Sequence, residues 1–301
     1  MFRKIIAVSL CLLAIAAFSA CSKQANAAAD GKVKVSVTFD ALREFVSAVG
    51  GDKVYITTII PDGTEPHDFE PKGMDLASLS NADIFVYSGL GMEAWAAKAV
   101  QAANNKNLIT VEASKGADPI TNTDQVAVSG HGSYDPHLWL SLKGAEIEAK
   151  NIKDALVKAD PLNKDFYEKN CNDFISQLES LYNEYNTKFQ TVKNKSFVTG
   201  HAAFAYLCRD FDLKQNSVED VFAEGEPSAK KLVELIAYCK QNNVKTIFVE
   251  DMVSPAISQT LADGAGAKVE KIYTIESVEN GKDYIERMKD NLSEIYSSLS
   301  K

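Results

Sequence analysis

The chain reads as an α/β protein of two lobes, each a central parallel-type sheet flanked by helices, with one long helix between them. Three observations predict this. Strand-like apolar runs alternate with amphipathic helical runs through both halves of the 301 residues, the grammar of parallel sheets. One unbroken helical pattern, residues 161–192, separates the two alternating halves. The chain is also long enough for two lobes of ordinary domain size once an N-terminal export segment is removed.

In the first half, the alternating β-rich run 33–39 predicts a strand, and 40–49 an amphipathic helix stopped by Gly50-Gly51. Residues 54–60 follow as strand, 74–79 as a short helix, 84–87 as a continuously apolar strand, 92–103 as helix and 108–111 as strand. Residues 113–134 are rich in Gly, Asp, Asn, Ser and Thr without apolar period, and predict a long loop or flap that holds His131. Helix resumes over 141–159, and Asp160-Pro161 starts the next one with proline at a favourable position.

Over 161–192, Phe166, Phe174, Leu178, Leu181, Tyr185 and Phe189 form one apolar stripe. At 1.5 Å per residue this helix extends about 48 Å. It spans both halves or lies along the surface of one. The second half predicts strands at 196–199, 246–250 and 268–273, and helices at 202–211, 228–241, 255–263 and 282–298. No sequence repeat relates the halves. The expected division is 1–20 export signal, 21–32 tether, 33–160 first lobe, 161–192 linking helix and 193–301 second lobe.

Arg3 and Lys4, an apolar stretch over 5–18 broken only by Ser9, and then Ser19-Ala20-Cys21 describe an export signal, too short for a membrane span. The segment resembles bacterial lipoprotein signals, which are cut before a cysteine that then carries lipid. That resemblance implies lipidation at Cys21, with an ordinary secretory signal as the alternative. The net charge of −9 becomes more negative without the basic signal, and an acidic surface argues against nucleic acid. Cys171, Cys208 and Cys239 remain; outside the cytoplasm they allow at most one intramolecular bridge, or all three are buried as small apolar residues.

Of only four histidines, three follow strand-like runs in loops: His67 in GTEPHDFEP (63–71), His137 in DPHLWLSL (135–142) and His201 in FVTGHAAFAYL (197–207). Imidazole is the commonest metal-binding side chain and suits zinc. The spacing requires a site assembled by the fold, in contrast to a zinc finger's local pairs. Ligands of open parallel sheets collect beyond the carboxyl ends of strands, so two facing lobes would enclose the site in a cleft. Pro66, Pro71 and Pro136 stiffen its loops. Asp135 either orients an imidazole or caps the turn at Pro136; Trp139 and Phe204 read as wall and core.

These three motifs, together with EGEPSAKKLVELI (224–236) and VEDMVSPAISQTLADGAGAKV (249–269), closely resemble the metal-binding solute receptors of bacterial ABC importers, in the zinc, ZnuA-like branch. The resemblance covers nearly the whole mature chain. It implies two α/β lobes joined by one long rigid helix, with Zn²⁺ carried between them as cargo by His67, His137 and His201. An imidazole at the third position marks the zinc branch, because the manganese branch resembles this pattern with a carboxylate there. IYTIES (272–277) resembles the segment supplying the fourth ligand, implying Glu276, with Glu279 as the neighbouring alternative.

The implied function is capture of Zn²⁺ outside the cytoplasmic membrane, in the periplasm or on the outer face, by a monomer tethered through Cys21 and delivering to an ABC permease. No catalysis is expected of a filled shell. Opening is expected through local shifts around His201 and Glu276. The competing readings are a manganese or iron receptor of the same family, a zinc-dependent hydrolase with Glu276 as base, and a surface adhesin with structural metal.

Overall fold

In the computed structural model, β1 (Val33–Val37) lies between β2 (Val54–Thr58) and β3 (Ile84–Tyr87), and β4 (Ile109–Glu112) pairs with β3. All pairings are parallel; Val35 sits opposite both Ile56 and Ile84. A second parallel sheet repeats the winding. There β5 (Ser196–Thr199) lies between β6 (Lys214–Ser217) and β7 (Thr246–Val249), and β8 (Lys268–Lys271) closes the order β6-β5-β7-β8. The halves therefore share a topology that no sequence repeat announces. The structure describes residues 31–122, 132–221, 228–250 and 255–300. Every strand and helix named here lies in one compact unit, Val33–Lys301.

Strands buried on both faces read as continuous apolar runs, and their side chains are shared out with a period of two. Ile84 and Val86 enter the large central core while Phe85 joins an outer cluster with Ile59, Leu79, Ala96 and Ala99. In the same way Phe197 and Phe248 face the central core, whereas Val198 and Ile247 face an outer cluster with Leu235, Cys239 and Leu261.

Helix α1 (Asp40–Gly50) buries Leu42, Phe45, Val46 and Val49, and ends at Gly51 with a positive φ of 51°. A Cβ at Gly51 would stand 3.0 Å from the Phe166 ring. Helix α2 (Ala96–Ala103) starts later than the sequence predicts, because residues 92–95 form turns that present Glu93. That buried carboxylate accepts from Thr38 Oγ1 (2.6 Å) and the Ser88 and Gly89 amides. The helix predicted at 74–79 is instead turns followed by a 3₁₀ segment, Ala77–Asn81, in which Leu79 alone is buried.

Helix α3 (Leu142–Ala159) is capped by Ser141, whose Oγ accepts from the Gly144 amide at 2.9 Å. A 3₁₀ turn, Pro161–Asn163, precedes α4 (Lys164–Thr191), so the long helix is 28 residues, about 42 Å. Phe174 of α4 meets Phe45 of α1, and Phe189 meets Phe211 of α5 (Ala205–Phe211). The helix thus runs alongside both halves, which removes the one-lobe alternative. Helices α6 (Ala229–Gln241) and α7 (Pro255–Ala265) cover the second sheet.

Closing helix α8 (Tyr284–Leu299) starts with a capping box, Asp283 and Glu286. It packs on β5 of the second sheet, on α1 of the first half and on the long helix α4. This return crossing is absent from the sequence expectation.

Strand β6 was also not anticipated: its KQNS sequence lacks an apolar face because it is an edge strand, in which Ser217 alone is buried. Around the predicted flap, Thr121 forms an antiparallel bridge with Tyr134; residues 123–131, with His131, lie outside the described residues, as does Cys21. Cys171, Cys208 and Cys239 are buried and free, which decides for burial over a bridge. Among the described residues no helix is long and apolar enough to cross a membrane.

Candidate metal centre

The site forms beyond the carboxyl ends of both sheets. After β2, the Ile59 and Ile60 amides continue the pairing by donating to Val37 and Thr38 carbonyls at 2.9 Å, and the turn closed by Phe69 N to Pro66 O (3.4 Å) brings in His67. His137 precedes the 3₁₀ turn Leu138–Leu140. Gly144 permits α3 to lie against that turn, since a Cβ there would fall 2.2 Å from Leu138 O. His201 follows β5 by one glycine, and α5 begins at Ala205 instead of Ala202 because residues 201–204 form the turn that holds it. The Thr199 hydroxyl and the Gln215 amide donate to the His201 carbonyl at 2.6 and 2.9 Å.

Glu276 comes five residues past the end of β8, in a loop where Thr274 Oγ1 donates to its Oε2 at 2.6 Å. Just before it, Ile275 is fully buried with φ of 60°. A β-branched residue in the left-handed region costs on the order of 1–3 kcal/mol and persists only when its surroundings hold it.

His67, His137, His201 and Glu276 are all buried and offer ligand atoms within 4.8 Å of one another. The Nε2 atoms of His67 and His201 lie 3.1 and 3.3 Å from His137 Nε2. His137 Nδ1 donates to Asp135 Oδ1 at 2.9 Å, and the same oxygen accepts from the His137 amide at 2.9 Å. Asp135 therefore fills both roles left open by the sequence. With its Nδ1 proton so committed, His137 has only a lone pair at Nε2 and can accept from one neighbour, not two. A central cation relieves this. A tetrahedral ion with bonds of about 2.0–2.1 Å sets neighbouring ligand atoms about 3.3–3.4 Å apart, close to the two Nε2 separations from His137.

The electrostatics favour the same occupant. Burial and the neighbouring His137 push His201 well below the usual imidazole range, so it is neutral and able to donate a lone pair. Burial, reinforced by Glu65, pushes Glu276 well above the usual carboxylate range; its Oε1 has no hydrogen-bond partner among the described residues. Burial raises Glu250 to about 8 and Glu219, with Asp220 and Glu65 nearby, to about 7. Such crowding of acids is relieved by positive charge.

Sequence reasoning missed Glu65 and Glu250. Glu65 Oε1 accepts from the His67 amide at 3.2 Å, and Glu250 Oε1 accepts from the His201 amide at 3.3 Å, with His201 Nδ1 at 3.7 Å. The signal was present for Glu250, which directly follows β7 at a carboxyl end. Glu279 is turned away and pairs with Lys271 Nζ at 2.6 Å. Trp139 and Phe204 are fully buried, Trp139 beside His137 with ring centroids 5.2 Å apart.

Two facing parallel sheets with converging imidazoles and a carboxylate at their carboxyl ends define a solute-receptor architecture with a cation-binding centre. Residues 35–298 match the family described as ZnuA, zinc-uptake complex component A, periplasmic, and the chain belongs to that family. It is 46% identical over 278 residues to a putative metal-binding protein of Treponema pallidum (strain Nichols), covering 90% of this chain and 88% of that one. It is 36% identical to the high-affinity zinc uptake system protein ZnuA of Bacillus subtilis (strain 168), over 99% of both chains. Among solved structures, a mutant of the laminin-binding adhesin Lmb of Streptococcus agalactiae superposes with a TM-score of 0.82 at 36% identity, covering 89% of this chain and 99% of that one.

Proposed function

We propose that this protein captures Zn²⁺ between its two sheets through His67, His137, His201 and Glu276 and delivers it to an ABC permease. The observation that carries this reading is the convergence of three buried imidazoles and one buried carboxylate whose ligand atoms all lie within 4.8 Å of one another. Family membership supports the transport role. Three neutral nitrogens and one oxygen complete a zinc shell, leaving no position for an activated water and so no hydrolytic step. Imidazole at His201, where a carboxylate would suit manganese, supports zinc over the harder ions.

The reading extends to the ends of the chain. Residues 1–20 act as an export signal, Cys21 carries the lipid, residues 21–32 are the tether, and lobes 33–160 and 193–301 flank the linking segment 161–192. The receptor works as a monomer outside the cytoplasmic membrane. Metal analysis of the protein purified from its own cells, followed by competition between zinc and manganese, tests the cargo: about one zinc per chain and a strong preference for zinc are expected. Recovery of manganese or iron in place of zinc contradicts it. Mass analysis of the mature N-terminus tests lipid on Cys21. Likeness to a laminin-binding adhesin supports surface attachment as a second reading, tested by laminin binding of the zinc-loaded protein.

A further inference from the structure

We propose that Arg287 is the positioning residue for Glu276, and that it makes the Glu276 loop part of the first-sheet half even though the loop follows the second sheet in sequence. The inference rests on the zinc site proposed above. Arg287 of α8 is wholly buried, and its Nη2 pairs with Asp40 Oδ2 at 2.7 Å, across to α1. Its Nη1 donates to Ser277 O at 2.9 Å. The Asp40 amide in turn donates to Glu276 O at 3.3 Å. Arg287, Asp40 and residues 276–277 thus close a ring around the backbone of the candidate ligand.

Further bonds bolt the same loop to the first half. Trp139 Nε1 donates to Thr274 O at 2.7 Å, the Gly63 amide to Ser277 Oγ at 3.0 Å, and the Val278 amide to Asp62 Oδ1 at 3.2 Å. The unfavourable φ of Ile275 is held within this network. The His201 turn is anchored differently. Its backbone bonds run to Thr199, Gln215, Asp220 and Glu250, all in the second half.

When cargo leaves, Glu276 therefore stays with His67, and the side that parts is His201 with Glu250. This narrows the sequence expectation, in which His201 and Glu276 shift together. It also gives Arg287 a task beyond neutralising Asp40: a guanidinium reaches the carboxylate and the Ser277 carbonyl at once, which an ammonium cannot do in the same geometry.

The test is zinc dissociation from the full-length protein, followed with a chromogenic chelator, in a double-mutant cycle. Arg287→Met is expected to speed release about tenfold or more, the size of effect seen when a ligand's outer partner is lost. In a Glu276→Gln background the same change should have little effect, because its route of action is gone. Arg287→Lys should recover part of the loss. Should Arg287→Met not fold, Asp62→Ala loosens the same loop from an exposed position and should show the same dependence on Glu276.

Equal acceleration in both backgrounds, or none in either, overturns the proposal. Unchanged release in Glu276→Gln alone overturns the ligand set instead, and so separates the two failures. Hydrogen exchange gives a second readout. Residues 274–279 should be protected alike with and without zinc while 200–204 gain protection on loading; loss of protection in both segments on zinc removal counts against the proposal.

Discussion

Asp135 Oδ1 receives two hydrogen bonds from His137, one from the ring Nδ1 and one from the backbone amide, each 2.9 Å. The pair fixes the ring's tautomer and its direction together, and leaves Nε2 as the lone-pair nitrogen. Asp135→Ala is expected to weaken zinc binding about 10–100-fold, the usual cost of removing such a partner. Asp135→Asn, which keeps an acceptor oxygen, should lose less. Calorimetric titration in chelator competition measures both; equal affinity in all three proteins would remove Asp135 from the account.

Zinc binding should release a proton near neutral pH. Burial raises the Glu276 carboxyl well above its ordinary range, which favours its protonated form before metal arrives, whereas His201 is held below its own, which favours the neutral ring. Ligation requires the carboxylate. Titrations in two buffers of different ionisation enthalpy should give about one proton released per zinc. Heats that do not depend on the buffer would contradict a protonated Glu276.

Replacing His201 by Glu exchanges a borderline nitrogen for a hard oxygen at one of the four proposed ligand positions. His201→Glu should narrow the preference for zinc over manganese by roughly tenfold or more. Unchanged competition between the two ions would show that selectivity resides elsewhere.

How much of this was legible in the sequence depended on what each residue had to do. Strands buried on both faces announced themselves as apolar runs, and the loop histidines stood out by scarcity and by their place after strands. β6 did not, because an edge strand needs no apolar face. The starts of α2 and α5 were misread because residues 92–95 and 201–204 have helical composition but are held in turns by long-range bonds, to Thr38 and Gln215 respectively. Glu250 and Arg287 were invisible for a related reason. Their partners, His201 and Asp40, lie 49 and more residues away, and only folding brings them near.

Stability without metal should fall as pH rises. Glu148 on α3 is wholly buried, with no hydrogen-bond partner for either oxygen among the described residues, and burial together with Glu93 holds its carboxyl well above the ordinary 4.5. A raised folded-state value means the folded protein keeps a proton that the unfolded chain releases. Its contribution is complete below the unfolded value and is lost as pH climbs through the folded one. Glu148→Gln, neutral throughout, should melt several degrees above the parent at about pH 8, with the gap closing near pH 5. Thermal scans of the metal-free proteins decide this, and a gap that is the same at both pH values would contradict it.

The central claim is the identity of the shell around the cargo. Zinc-edge X-ray absorption of the protein loaded with one equivalent of zinc measures it directly. The expected spectrum is a four-coordinate ion with three imidazole nitrogens and one carboxylate oxygen at about 2.0–2.1 Å. A shell containing sulfur, or one in which water replaces two or more imidazoles, would contradict the account.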